Sequence, residues 1–426
     1  MREGVVRLLA LAAVRVFYRV DRAGSPPPSG SIVLLPNHPN ALLDPALVWA
    51  TAGRDVRFLA KSTLFTGVFG PLVRAAGAIP VFRKQDEGGD ASRNAEMFAA
   101  VDEALRRGDA ICVFPEGISH SSGRLEPLRT GAARMAMSAA ARGTAVQIVP
   151  VGINPDRKTV FLSRMTVVYG RPFSVTAGAS VQALTEEVAV RMRQLIVEAD
   201  PEADGDLVIR IDQLYASERG TGADAQSVVE RRRTIAAGLN RLRQDRPEWY
   251  AASLLQLRRY DQRLRRFGLG DSALDWNTSL ADAVHFTARE LPIAIVLVPV
   301  AAVALVVFAV PYGLTAASAR LQKETDVTAT AKVLGGAALY AAWIAALAVM
   351  AGRFFGGPAG WLTAAVLPVL AAAGLFAIER EASALRTARS WLALRGAHAN
   401  TRTRLRRHRA ELADVLDEVN DYLRER

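Results

Sequence analysis

The decapeptide Pro36-Asn37-His38-Pro39-Asn40-Ala41-Leu42-Leu43-Asp44-Pro45 decides how this chain is read. Before it, Ser31-Ile-Val-Leu-Leu is a short apolar run of the kind that forms a buried strand. After it, Asp44-Pro45 is a helix-start signal, with Asp as N-cap and Pro as first helical residue. A histidine and a carboxylate are thereby set at a strand-to-helix junction. If the loop folds back, the Asp44 carboxylate accepts from His38 Nδ1, fixes the tautomer and leaves Nε2 to take a proton from a substrate hydroxyl. The competing reading makes Asp44 only a cap and His38 only a polar loop residue.

Working outward, apolar runs at 31–36, 56–60, 79–83, 109–114 and 145–153 read as strands. Helical patterns fill 45–52, 62–76, 91–107 and 129–142. Such alternation predicts an α/β fold, a central sheet flanked by helices, with ligands bound beyond the strand ends. His38, Arg83 and Glu116 each follow an apolar strand and are expected to share one rim. Lys61 and Arg83, each just after an apolar run, are the candidate cations for a phosphate, with Arg129 a third. Glu116 and Gly117 suit pocket shaping: a Glu can bind backbone N–H groups or orient a hydroxyl, and Gly permits positive φ or close approach. Pro150 is expected either to shape a pocket or to end its strand.

Four ordered blocks in the first 155 residues resemble the glycerolipid acyltransferase (PlsC-like) family. They are His38-x5-Asp44; Phe58-Leu-Ala-Lys61 with Gly77-Ala-Ile-Pro-Val-Phe-Arg83; Val113-Phe-Pro-Glu-Gly-Ile-Ser-His120 with Leu125-Glu-Pro-Leu-Arg129-Thr-Gly131; and Ile148-Val-Pro-Val-Gly152. The usual first block is His-x4-Asp. The x5 spacing and the Gly-x-Ser-His form resemble the fungal-type glycerol-3-phosphate/dihydroxyacetone-phosphate branch. Ser119 stands where the common bacterial form has a phosphate-holding Arg, so Ser119 inherits that position without the charge. The resemblance covers about residues 30–200. It implies transfer of a fatty acyl group from acyl-CoA or acyl carrier protein to glycerol 3-phosphate or its 1-acyl derivative. His38 is then the base, Asp44 its orienting group, and Lys61, Arg83, Glu116, Gly117, Ser119 and Arg129 the substrate-binding residues. The acyl donor is a substrate, and no cofactor is implied. The alternative is a catalytically inactive lipid-binding or scaffolding protein on the same fold. A Ser-His-Asp hydrolase built on Ser119 or Ser121 beside His120 is disfavoured by the lack of a Gly-x-Ser-x-Gly elbow.

The five histidines, at 38, 120, 285, 398 and 408, show no metal-ligand spacing. The single cysteine, Cys112, excludes an intramolecular disulfide framework and reads as inert core. A net charge of +11 points to an anionic partner, here an anionic phospholipid membrane rather than nucleic acid.

Five segments are expected. Residues 1–25 read as an interfacial amphipathic helix, with Arg15, Arg19 and Arg22 on one face, or as the same helix packed on the core. Residues 26–200 form the acyltransferase domain, entered through the Pro26–Gly30 linker, and 201–290 a solvated helical region. Residues 291–378 hold the apolar runs 291–314, 333–350 and 361–377, of membrane-spanning composition. Residues 379–426 form a basic helical tail. The expected location is the cytoplasmic membrane with the active site facing the cytoplasm. An even number of spans keeps the Arg402–Arg409 run on that face. Three spans would not, and Pro292, Pro299 and Pro311 make the first run a candidate for a broken or re-entrant segment.

Overall fold

The structure, a computed structural model, describes the chain outside residues 1–10, 12–13, 16, 42, 67–69, 83–93, 121, 159, 177, 200, 202–203, 278, 321–324, 397–398 and 425–426. The chain divides into two compact units, the first formed mainly by residues 1–212 and the second mainly by 241–426.

The first unit is built on a mixed sheet of β1 (Tyr18–Ala23), β2 (Ile32–Pro36), β3 (Val56–Lys61), β4 (Ile79–Val81), β5 (Ala110–Cys112), β6 (Gln147–Pro155), β7 (Ser163–Tyr169) and β8 (Phe173–Ser174). Their order is β1-β7-β6-β2-β5-β3-β4, with β8 beside the start of β6. The run β6-β2-β5-β3-β4 is parallel, and β7 turns antiparallel to β6. Parallel neighbours need crossovers, which α1 (Leu43–Thr51), α2 (Gly70–Ala75), α3 (Asn94–Arg106) and α4 (Gly131–Ala141) supply. β2 is buried at every position, as a strand covered on both faces must be. On one face Val101 and Leu105 of α3, Ala136 of α4 and Leu184, Val188 and Met192 of α5 (Val181–Arg193) close over Val33, Ile111 and Ile148.

Three readings change. The helix expected over 1–25 gives way at Tyr18 to β1, whose Arg19 and Arg22 lie on a strand paired with β7. β1 is the edge strand of the sheet, with Tyr18 and Ala23 buried and both arginines exposed, and the pull of the sheet overrides the arginine spacing. Asp44 is not the cap of α1, because the helix already includes Leu43 and the carboxylate turns back into the loop. Pro150 does not end a strand but sits inside β6, opposite Leu35. It is tolerated because it falls where β6 changes partner, between Ile148 against β8 and Val151 against β7.

Beyond the sheet, α6 (Gly205–Arg219) and α7 (Ala225–Asp245) meet through buried charge. Arg232 bonds both Asp212 (2.8 Å) and Asp156 (2.5 Å), while Arg231 holds Asp212 at 2.6 Å. The second unit is built mainly from α8 (Pro247–Phe267), a short 3-10 turn at Ser272–Asp275, α9 (Leu280–Val307), α10 (Ala309–Arg320), α11 (Thr325–Phe355) from residue 331 on, α12 (Gly357–Gly396) and α13 (Ala399–Arg424). Three of its stretches, Leu280–Val307, Gly335–Phe355 and Gly357–Gly396, are long and apolar enough to cross a membrane. They expose large apolar side chains such as Val306, Phe355 and Trp361, as lipid-facing helices do and water-facing ones do not.

Candidate active site

Register explains why the site forms where it does. Leu34 of β2 pairs with Cys112 of β5, which pairs with Phe58 of β3. The continuations of these parallel strands carry His38, Glu116 and Lys61 to the same edge of the sheet. With about 4.8 Å between neighbouring strands, β2 and β3 place their ends roughly 10 Å apart.

His38 Nδ1 lies 2.8 Å from Asp44 Oδ2. That oxygen also accepts the Asn40 N–H at 2.7 Å. The intervening loop folds tightly: Leu43 N–H reaches Asn40 O, and Ala41 takes a left-handed φ of 47°. The longer His-x5-Asp spacing is thus absorbed by a local turn that leaves the His-Asp contact intact. Asp44 is fully buried, and its Oδ1 finds no partner among the described residues. Burial raises the Asp44 carboxyl above the usual range, while the bond from His38 opposes that rise by favouring the anion. The His38 ring stacks on Phe114, centroids 4.0 Å apart, and its side chain keeps 18% exposure. Among the described residues Nε2 has no hydrogen-bond partner, so the free nitrogen is the one directed away from the carboxylate.

Glu116 is 2% exposed and ties three segments together. Its Oε1 accepts the His38 N–H at 2.9 Å, and its Oε2 accepts the Glu126 N–H at 3.2 Å. Its Oε2 also contacts His120 Nε2. His120 N–H in turn donates to His38 O at 3.2 Å, so the two histidine loops are joined at both backbone and side-chain level. Burial pushes the Glu116 carboxyl up to about 7. Gly117 has φ 76°, and a Cβ there would approach Arg129 Cγ to 3.2 Å. The stem of Arg129 therefore crosses the glycine, while its N–H donates to Pro115 O at 2.7 Å.

Of the remaining candidates, Lys61 is half-buried at the end of β3 and is engaged by its surroundings. Ser119 is half-buried beside His120, also with an interaction of its own. Arg129 is exposed. Arg83 lies outside the described residues, two positions beyond β4.

Several supporting residues escaped the sequence reading. Asn37 clamps β6 by donating Nδ2–H to Ile153 O (3.0 Å) and accepting Ile153 N–H (2.6 Å). Asn40 Nδ2 donates to the buried Tyr18 hydroxyl at 2.9 Å, tying the loop to β1. Both asparagines flank His38 in the quoted decapeptide. Two polar amides beside an apolar strand were the available signal, since amides that follow a core strand need partners.

The Acyltransferase family model matches residues 19–154. Glycerol-3-phosphate O-acyltransferase 1 of Saccharomyces cerevisiae is 26% identical over 193 residues, 42% of this chain and 25% of that protein. Glycerol-3-phosphate O-acyltransferase 2 of the same yeast is 36% identical over 84 residues, 19% of this chain and 11% of that protein. The chain thus spans a quarter or less of the length of these relatives. A solved structure, the 1-acyl-sn-glycerophosphate (LPA) acyltransferase PlsC from Thermotoga maritima, aligns over 45% of this chain and 78% of its own. Its TM-score is 0.36, at 21% identity. The family match contains His38, Asp44, Lys61, Arg83, Glu116, Gly117, Ser119 and Arg129, and over residues 19–154 the chain carries a domain of the acyltransferase family.

Proposed function

We propose that this protein is a membrane O-acyltransferase that moves a fatty acyl group from a thioester donor, acyl-CoA or acyl carrier protein, to a hydroxyl of a glycerol-phosphate acceptor. The observation that carries this reading is the His38–Asp44 pair, 2.8 Å apart, with the carboxylate buried and the other imidazole nitrogen unengaged among the described residues. Asp44 accepts from Nδ1–H and so keeps Nε2 unprotonated. Nε2 takes the acceptor's hydroxyl proton as its oxygen attacks the thioester carbonyl. The C–S bond breaks, and the imidazolium returns the proton to the leaving thiolate. The ester forms with no covalent enzyme intermediate, and proton transfer of this kind contributes about 10² to 10⁴ in rate.

Glu116 acts here as a positioning residue, since its carboxylate is occupied by backbone N–H groups and His120. The acceptor phosphate is assigned to Lys61 and Arg83, with Arg129 near the Gly117 turn, by charge and by their place in the family-like blocks. The apolar helices of the second unit anchor the protein in an anionic phospholipid membrane, with the active site on the cytoplasmic side.

The test is a competition between glycerol 3-phosphate and lysophosphatidic acid with a labelled acyl donor, scored by product for the wild type and Arg83→Ala. The expected result is acyl transfer to glycerol 3-phosphate. Arg83→Ala should weaken its use about tenfold or more, because a charge-assisted contact is worth about 1.5 to 3 kcal/mol. Lysophosphatidic acid retains binding through its chain and should suffer less. Phosphatidic acid as the sole product reverses the choice of acceptor. Transfer to neither acceptor, with the fold intact, favours a lipid-binding scaffold instead.

A further inference from the structure

Among the described residues three helices of the second unit have spanning composition, yet the chain before the first and the chain after the last lie in one polar layer. α13 packs on α8 and on the turn Ser272–Asp275. Arg402 Nε donates to Leu274 O at 2.8 Å, and Arg409 Nη1 donates to Asp271 O at 2.7 Å and meets Asp275 at 2.8 Å. Tyr422 donates to Asp245 at 3.1 Å. Leu257, Tyr260 and Leu264 of α8 are buried in this layer, as are Leu405 and Leu412 of α13. A segment that starts and finishes in one water-facing layer crosses a bilayer an even number of times, so three complete crossings do not fit.

Side-chain register shows which helix fails to cross. Glu290 of α9 pairs with Arg380 of α12 at 2.5 Å, and further along Ala304 and Phe308 cluster with Leu367. As α9 advances α12 retreats, so the two are antiparallel. α11 and α12 are also antiparallel, folded back at Gly356 (φ 92°) with Gly352 against Gly360. α9 and α11 therefore run in the same direction, which requires the chain between them to come back. It does so through α10. Trp343 donates to Val307 O (2.8 Å) and Phe308 stacks on Tyr340, whereas Thr315 faces Gly336. Going forward from Val307 to Thr315 means going backward along α11.

α10 has 12 residues, about 18 Å at 1.5 Å per residue, well short of the roughly 30 Å of a hydrocarbon core. The helix break at Phe308 is followed by Pro311, which removes a backbone donor. α10 ends at Arg320, and Asp326 lies in the first turn of α11, so both helices carry a charge at their facing ends. Non-spanning backbone at membrane depth is tolerated where other helices cover it, as the cluster of Ala304, Phe308, Trp343 and Leu367 does here.

We propose that α9 and α10 form a re-entrant pair, which enters the bilayer from the face bearing α8 and α13, bends back at the break at Phe308 and leaves by the same face, while α11 and α12 make one full out-and-back crossing. Arg289, Glu290, Arg380 and Glu381 mark the near interface, and the far turn carries Arg353, Phe354, Phe355 and Trp361. Arg380, Arg386, Arg389 and Arg395 follow on the near side, which is therefore the cytoplasmic one. The re-entrant pair rests on the membrane reading given under Proposed function.

Single cysteines introduced into full-length Cys112→Ser protein test this. The positions are Asn277→Cys, Gln322→Cys, Gly357→Cys and Glu411→Cys, each probed with a membrane-impermeant maleimide on spheroplasts and on inverted vesicles. The expected pattern is labelling of 277, 322 and 411 from one side and of 357 from the other. Labelling of 322 together with 357, or of 277 and 411 from opposite sides, overturns the re-entrant pair alone. Release of the full chain by carbonate washing overturns the membrane reading and the re-entrant pair with it, so the two failures are told apart.

Discussion

Glu116 accepts the backbone N–H of His38 at 2.9 Å, although 78 residues separate them. A carboxylate from the loop after β5 thus sets the backbone of the loop after β2, and with it the direction in which the imidazole points. Asp44 holds the ring from the opposite end, at Nδ1. The position of Nε2 is fixed by two carboxylates, one holding the ring and one holding the backbone.

The first prediction concerns the Asp44 side. His38→Ala should abolish acyl transfer while leaving membrane-bound expression unchanged. Asp44→Asn should lower kcat by about 10² or more, because the amide no longer enforces the tautomer with Nδ1 protonated. Asp44→Ala should cost stability as well, about 1 to 3 kcal/mol, since the buried Asn40 N–H loses its acceptor. Turnover and thermal midpoint of purified variants separate the two effects. Near-normal turnover of His38→Ala removes the mechanism.

A second prediction follows from the Glu116 carboxyl, which burial pushes up to about 7 from the ordinary 4.5, with Asp44 and Glu126 adding to the rise. Between those values the folded protein binds more protons than the unfolded one. Its contribution to stability is therefore fully present below about 4.5 and declines as pH rises towards about 7, by up to roughly 3 kcal/mol. Glu116→Gln should flatten this part of the curve. The thermal midpoint across that range, read by exposure of the buried Cys112 in aliquots quenched at one pH, measures it. An unchanged slope in the variant would show that another group titrates there.

Much of this site was legible before any fold. The strands carrying His38, Lys61 and Glu116 were read from short apolar runs, because buried parallel strands have few other ways to look. The helix start at Asp44 was misplaced by a residue, since the capping rule saw a carboxylate before proline and could not see that Asn40 and His38 would claim it. β1 and the Tyr18 hydroxyl were missed for a different reason. Arginines at 15, 19 and 22 have the three- and four-residue spacing of one helical face, and only pairing with β7, 145 residues away at Tyr18 and Ser163, decides for a strand. Nor could spacing reveal that His120 would meet Glu116, as that contact depends on how the loop from Ile118 to Leu125 closes.

His120 is the subject of a third prediction. Its ring touches Glu116, and its Nδ1 lies 2.9 Å from Ser122 Oγ. His120→Ala should lower kcat more than it raises KM, because it loosens the carboxylate that sets the His38 backbone without removing a substrate contact. His120→Gln, which can still donate to Glu116, should recover part of the loss. An increase in KM at constant kcat would instead place His120 in acceptor binding.

The last prediction concerns Asn37, whose amide makes two hydrogen bonds to the backbone of Ile153 from a position 6% exposed. Replacing it with Ala strands a buried N–H and a buried C=O on β6, each worth about 1 to 3 kcal/mol, so roughly 2 to 6 kcal/mol of stability should be lost. Asn37→Asp keeps an acceptor for Ile153 N–H but sets a carboxylate against Ile153 O, and should fare no better. Because Asn37 precedes His38 directly, the clamp also holds the start of the loop that carries His38 to the sheet. The surviving folded fraction of Asn37→Ala should therefore turn over more slowly per molecule than wild type. Activity normalised to the folded fraction, determined by Cys112 protection at low temperature, separates positioning from stability. Full specific activity in that fraction would leave Asn37 a structural residue only.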